Sequence, residues 1–247
     1  MEKKPFFTIV SYNIWFDNRH IQVRLNKIIE MLGYMQPTII CFQEVTHATY
    51  PVLVESFVKQ GYQSCYKDLE QFKKIAQIGY GVLTLSKLPI ISVNFIPFIE
   101  TSMGRYFSVA KLQNGIVIIN THLESLGTNY IVRQNQISQL IELMNIIPIS
   151  ILTMDSNLTD KKNDVFPQNE GIYDAYIVDG SSKDKEYTYD CKTNKNVLYK
   201  YQTRLDRIYY SNLKQLDFSL FGETEIPEIE VPPSDHYGIR MAFELKK

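Results

Sequence analysis

"PISILTMDSNLT" (residues 148–159) can be read in three ways, and the choice decides how the chain must fold. Asp155 or Asn157 could cap a helix. Asn157-Leu158-Thr159 also matches a glycosylation sequon. In the third reading the apolar run is a buried strand, and Asp155 and Asn157 leave its end as chemical groups aimed into a cleft. The run is short and apolar without alternation, which suits a strand covered on both faces.

Further runs of the same kind flank it: "FFTIVSYNI", "TIICFQEV", "YGVLTLS", "RYFSVAKL", "GIVIINTHL", "RLDRIYYS" and "DHYGIRMAFEL". Their lengths and their Val, Ile, Tyr and Phe content predict strands. Between them, residues 20–34 place Ile21, Leu25, Ile28, Ile29 and Leu32 on one helical face, and residues 130–144 do so with Ile131, Ile137, Leu140, Ile141 and Met144. A third helix is expected from about Thr49 to Gln60. Asn114-Gly115 between two β runs predicts an antiparallel hairpin. Helix-linked strands beside hairpins imply mixed, mainly antiparallel sheets. The fold class is α+β, two packed sheets flanked by helices, with residues 1–247 as a single catalytic domain.

The net charge of −1 argues against a protein that coats nucleic acid, although lysines 67, 73 and 74, and later 183, 185, 192, 195 and 200, concentrate positive charge in two loops. Cys41, Cys65 and Cys191 fit neither a disulfide framework nor a zinc site, so a reducing compartment is expected. The N-terminal stretch is too interrupted for a signal peptide and no run reaches the roughly 20 apolar residues of a membrane span. An intracellular chain, nuclear or cytoplasmic and not secreted, makes the sequon an accident.

Polar residues gather at strand ends: Asn13, Glu44, His122, Asp155 and the pair Asp235-His236. In a sandwich such ends meet at one rim. One amide, several carboxylates and two imidazoles suit phosphodiester hydrolysis assisted by a hard divalent ion, with Glu44 the best ligand.

"SYNIW", "FQEV", "THLES", "MDSNLTD", "RLDRIYY" and "PSDHYG" together resemble the ordered motifs of the exonuclease-endonuclease-phosphatase superfamily, whose members are four-layer αββα sandwiches using Mg²⁺ or Mn²⁺. Within it the chain resembles the tyrosyl-DNA phosphodiesterase 2 family, through "TSMGRYFSVAKLQNGIVIINTHLES", "VRQNQISQLIELM" and "YTYD" before "RLDRIYY". The resemblance implies release of a trapped topoisomerase II tyrosine from the 5′ phosphate of DNA, and of protein-linked RNA 5′ ends in some members. A monomer that engages no membrane is expected.

Carried onto this sequence, the resemblance makes Glu44 and Asp235 metal-site residues, with Asn13 holding phosphate and water. Asp155 and Asn157 position or activate the water, His236 contacts phosphate, and Asp206 orients His236 from behind. His122, Ser125 and Arg105 line the substrate side, and Tyr189 and Tyr237, where the family has tryptophans, offer aromatic faces for a base. Met154 stands where the family has Gly, and Thr159 where it has Arg, so Thr159→Arg is expected to tighten phosphate contact. The chain is expected to start on the sandwich, without the N-terminal ubiquitin-binding domain that the resemblance implies for animal members. Competing readings are an abasic-site endonuclease or exonuclease, a deadenylase, a lipid or inositol phosphatase, and a non-catalytic nucleic-acid- or protein-binding module.

Overall fold

Alternate apolar residues on the central strands fall into different cores, and that alternation builds the layers. The computed structural model describes residues 6–159 and 164–244. In chain order its strands are β1 (Phe6–Asn13), β2 (Ile39–Thr46), β3 (Gln63–Ser64), β4 (Tyr80–Ser86), β5 (Ile90–Pro97), β6 (Tyr106–Leu112), β7 (Val117–His122), β8 (Ser150–Asp155), β9 (Tyr173–Asp174), β10 (Tyr189–Asp190), β11 (Gln202–Thr203), β12 (Asp206–Ser211), β13 (Lys214–Phe221) and β14 (Gly238–Glu244). The α-helices are α1 (Ile21–Met35), α2 (Thr49–Val58), α3 (Leu69–Ile75), α4 (Tyr130–Ile146) and the single turn α5 (Ala175–Val178).

One sheet has the order β13-β14-β1-β2-β4-β3 and the other β5-β6-β7-β8-β12-β9, while β10 and β11 form a separate ribbon. The β1–β2 and β7–β8 pairs are parallel, and the hairpin at Asn114-Gly115 joins β6 to β7 antiparallel as expected. Ile9, Ile39, Cys41, Ile118, Ile151, Ile208 and Met241 fill the seam between the sheets. Val10, Tyr12, Ile40 and Phe42 turn the other way onto Leu25, Ile28, Leu32, Leu53, Phe57 and Phe72 of the helices. On the far side Ile119, Leu152 and Met154 meet Ile137, Leu140 and Met144 of α4. The sequence is therefore helix, sheet, sheet, helix. Each large apolar side chain so enclosed contributes about 1.5–3 kcal/mol.

Several local expectations are corrected. Lys73 and Lys74 close helix α3, whose N-cap Asp68 accepts from the Gln71 amide, so that basic stretch is not a loop. Ile131 is 58% exposed, because the buried face of α4 runs instead through Arg133 and Gln136. Strands β5 and β13 lie at sheet edges and are not among the expected runs; β13 mixes exposed polar residues into its pattern, whereas β5 is largely apolar. Among the described residues no helix is long and apolar enough to cross a membrane.

Candidate active site

Strand parity aims the polar groups. On β8, Ile151 belongs to the inter-sheet seam and Leu152 and Met154 to the outer core, so Asp155 points into the seam. His122 on β7 and Asp206 on β12 stand in register with Asp155 on either side. The three residues therefore form a row across adjacent strand ends. Met154 is fully buried under α4 and takes no part in the rim.

Glu44 breaks this parity, and a backbone irregularity rescues it. Ile40 and Phe42 face the helices, so simple alternation would send residue 44 there too, yet Val45 occupies that core. The β2–β4 register shifts between Phe42 and Val45, and Glu44 sits at φ +60. A left-handed conformation in a non-glycine residue costs about 1–3 kcal/mol and persists only where its surroundings enforce it. Here the Phe16 amide donates to Glu44 Oε2 at 2.9 Å.

The side-chain amide of Asn13 donates to Asp155 Oδ2 at 2.8 Å, and His122 Nε2 lies 3.3 Å from the same oxygen. The Asn157 main-chain amide donates to Asp155 Oδ1 at 3.0 Å. Asn157 has φ +50, a conformation asparagine tolerates, and its own side-chain amide donates to Leu123 O at 3.1 Å. His236 Nδ1 donates to Asp206 Oδ2 at 2.7 Å, and its Nε2 stands 3.8 Å from Asp155 Oδ2 and 4.0 Å from Asp235 Oδ1. Ser234 closes the group by donating to Asn13 O at 2.6 Å and accepting from the His236 amide at 3.2 Å.

Burial disfavours charge here, and neighbours decide which groups keep it. Burial alone would raise Asp155, but His122, His236 and the bonds from Asn13 and Asn157 hold it below the usual carboxylate range. Glu44 is raised, chiefly by burial, and Asp235 is lifted to about 7, by burial first, with His236 opposing and Glu44, Asp155 and Asp206 adding repulsion. Burial and then the Arg105 charge bring His122 down to about 3. Burial also opposes the His236 imidazolium, yet Asp206, Asp235 and Asp155 raise it well above ordinary histidine.

Ligand atoms of Glu44, His122 and Asp155 converge within 4.8 Å of one another, and so do those of Asp155, Asp206 and His236. Crowded, buried carboxylates with raised affinity for protons are the electrostatic condition that a hard divalent cation relieves. Asp235, expected beside Glu44 in the ligand set, stands outside both groups of three.

The substrate side is built by two loops. Gly104 has φ +60 and a Cβ there would meet the Ile78 side chain at 2.9 Å, so glycine lets the loop before Arg105 turn without strain or displacement of Ile78. Arg105 lies over the Tyr80 ring, 5.3 Å from its centroid, and lines a small cavity with His122. The Ser125 hydroxyl donates to Met103 Sδ at 3.0 Å. Glu124, which the motif reading left without a role, joins the two loops: its carboxylate accepts from the Thr101 hydroxyl at 2.8 Å and from the Ser102 amide at 2.9 Å.

Two aromatic assignments are corrected. Tyr237 is 3% exposed and donates to Thr193 Oγ1, while Tyr189 is 5% exposed and packs edge-on against His236. Neither ring presents an open face. Phe16, whose amide braces Glu44, is exposed, and so are Tyr201 and Tyr199, which continue the row outward: Tyr189 and Tyr201 centroids are 5.4 Å apart, and Tyr201 and Tyr199 stack at 6.0 Å. Their alternation in "YKY" beside Leu198 was the available signal.

Thr159 is also differently employed. Its amide and hydroxyl both donate to Asp164 Oδ2, at 3.1 and 2.8 Å, and Asp164 receives two bonds from buried Arg133. A roomier cavity of about 560 Å³, lined by Phe166, Tyr173, Arg204 and Tyr209, opens away from this rim.

Strands of two packed sheets that deliver carboxylates and imidazoles to one rim define a class of phosphoester hydrolase, and sequence comparison agrees. The model of the Endonuclease/Exonuclease/phosphatase family matches residues 10–154, and the chain belongs to that family. It is 27% identical to tyrosyl-DNA phosphodiesterase 2 of Xenopus tropicalis over 261 residues, which cover 99% of this chain and 68% of that protein. The crystal structure of truncated Caenorhabditis elegans TDP2 has the same fold, with a TM-score of 0.85 and 24% identity over 97% of this chain and 98% of that one. So does D. rerio TDP2 complexed with a single-strand DNA product, at 0.85 and 22%, over 97% and 99%.

Proposed function

We propose that the chain is a metal-dependent phosphodiesterase that hydrolyses the bond between a tyrosine and the 5′ phosphate of DNA, leaving a 5′-phosphate end. The observation that carries this reading is the convergence of Asn13, Glu44, His122, Asp155, Asp206 and His236 at one rim, from five strands and the turn before β14. The substrate class is drawn from the X. tropicalis relative, a tyrosyl-DNA phosphodiesterase, and from the DNA product held by the D. rerio protein.

Glu44, with Asp155 and His122 beside it and Asp235 close behind, would hold Mg²⁺ or Mn²⁺. Such an ion supplies positive charge to a phosphoryl oxygen and acidifies the attacking water. Asp155, kept ionised, orients that water and takes its proton. Asn13 fixes Asp155 Oδ2 and the Asn157 amide fixes Oδ1. His236, charged and held by Asp206, donates to the phosphoryl oxygen where negative charge grows. Arg105, Ser125 and neutral His122 line the approach. Tyrosine has a pKa of about 10, so its phenolate departs without a strong general acid.

The exposed Tyr199 and Tyr201 stack the terminal base, and Tyr189 supports His236 from beneath. We further assign the chain to a single catalytic domain acting as a monomer inside the cell, on DNA and on protein-linked RNA ends. The free thiols of Cys41, Cys65 and Cys191 agree with a reducing compartment.

The test is turnover of an oligonucleotide bearing a 5′-phosphotyrosine, beside 3′-phosphotyrosyl and abasic-site duplexes, with Mg²⁺, Mn²⁺ or EDTA. The expected outcome is 5′ release that stops in EDTA and in Asp155→Ala. Abasic cleavage without 5′ release points to a different substrate, and binding without turnover to a silent module; either overturns the proposal.

A further inference from the structure

We propose that Arg24 is a positioning residue of this active site, whose buried guanidinium locks the turn after β1, which braces Glu44 through the Phe16 amide, to the segment that presents Asp235-His236. The inference rests on the hydrolytic reading of the rim given above.

Arg24 lies on α1, a helix whose other buried residues are apolar, and is 1% exposed. A guanidinium has five N–H positions, and here every one ends on a main-chain carbonyl. Nε donates to Arg19 O at 2.8 Å, Nη1 to Ile14 O at 3.1 Å and Pro233 O at 3.0 Å, and Nη2 to Trp15 O at 3.2 Å and to Asp17 O. Burial disfavours its charge, and the largest opposing contribution comes from Asp235. Without the guanidinium its buried carbonyl partners would lose a donor, and each buried polar group left unsatisfied is destabilising.

What it holds is the turn after β1. Trp15 has φ +61, so consecutive amides of this turn point one way and its carbonyls the other. The amides face the site: Trp15 N–H donates to Asn13 Oδ1 and Phe16 N–H to Glu44 Oε2, both at 2.9 Å. The carbonyls face Arg24. The same guanidinium reaches Pro233, the residue before Ser234, whose hydroxyl returns to Asn13 O. Two segments more than 200 residues apart are thus fixed relative to one another through one side chain.

The test sets Arg24→Lys beside Leu32→Ala, a cavity-forming change on the same helix. Lysine keeps the charge but cannot span five carbonyls. On the full chain, Mn²⁺ affinity is measured by titration calorimetry, kcat and KM on the 5′-phosphotyrosyl oligonucleotide, and melting temperature in EDTA. Arg24→Lys is expected to weaken Mn²⁺ binding and lower kcat by about 10- to 100-fold each, the usual effect of losing a group that orients metal ligands. Leu32→Ala is expected to lower the melting temperature and leave Mn²⁺ affinity unchanged. Unchanged Mn²⁺ affinity in Arg24→Lys, or equal losses in both variants, overturns the proposal.

Should Arg24→Lys fail to fold, hydrogen exchange of the wild-type chain decides. The Trp15 and Phe16 amides are expected to exchange as slowly as those of β1, and loop-like rates overturn the proposal. If the wild-type chain spares 5′-phosphotyrosine while the Mn²⁺ and exchange results hold, the functional reading fails and the role of Arg24 stands.

Discussion

The side-chain amide of Asn13 donates to Asp155 Oδ2 across 2.8 Å, joining the last residue of β1 in one sheet to the last residue of β8 in the other. The bond commits an amide to orienting a carboxylate, so its loss should register in catalysis as well as in stability. Asn13→Ala is expected to reduce kcat by about 10- to 100-fold, the usual effect of losing a group that orients an active one. Its cost in denaturant melts should reach about 1–3 kcal/mol, because the buried Asp155 carboxylate and the Trp15 amide each lose a partner. A kcat within a factor of two of wild type would remove Asn13 from the machinery.

Asp206 reaches the reaction only through His236. Asp206→Asn is expected to lower activity by about 10- to 100-fold. Because Asp206 is the largest of the charges that keep His236 protonated, the alkaline limb of the pH–rate profile should move to lower pH in the variant. An unshifted limb would show that a different group titrates.

Metal-free stability should respond to pH through two residues with opposite signs. Asp235 rises from 3.8 to about 7 on folding, chiefly through burial. Its proton-linked stabilisation is complete below pH 3.8 and lost as pH climbs through about 7. His122 falls from 6.5 to about 3, again through burial first, so its contribution is present above 6.5 and lost as pH falls towards 3. In EDTA, Asp235→Asn should gain on wild type as pH increases across the first window, and His122→Asn as pH decreases across the second. Melting curves that keep a constant offset from wild type would exclude the corresponding group.

Tyr199 and Tyr201 are exposed aromatic rings beside buried Tyr189, available to a substrate base. Alanine at either position should raise KM for a single-stranded oligonucleotide by the equivalent of about 1–3 kcal/mol, with phenylalanine neutral. Equal KM values for the alanine and phenylalanine variants would rule out stacking.

Thr159→Arg is expected to destabilise the chain rather than tighten phosphate contact. The substitution removes the hydroxyl bond to Asp164, worth about 1 kcal/mol, and crowds an arginine against the Arg133–Asp164 pair. The melting temperature checks the first effect and substrate affinity the second. A tighter substrate complex at unchanged stability would restore the phosphate role.

The central strands were legible because they are buried on both faces, and continuous apolar runs such as residues 148–154 have few other uses. The edge strand β13 was not, since exposed positions lift the demand for apolar residues; β5 was missed although it is largely apolar. Arg24 and Arg133 were silent in the sequence for a related reason. A charged letter on a helix reads as solvent-facing, and only the carbonyls or carboxylate waiting in the folded chain make its burial affordable.

By itself the sequence determined the α+β class, two packed sheets with helices outside, and the polar strand ends Asn13, Glu44, His122, Asp155 and Asp235-His236, because strand period and strand-end chemistry are local properties; the αββα order and Asp206 came with the family resemblance. Tertiary structure alone decided which of those residues meet. Asn13 finds Asp155 and His236 finds Asp206 only through sheet packing and strand register. Glu44 turns inward only through a strained residue that breaks its strand's alternation. Tyr189 and Tyr237 are buried while Tyr199 and Tyr201 stand open, since exposure is a property of what packs above a ring and not of the residue itself.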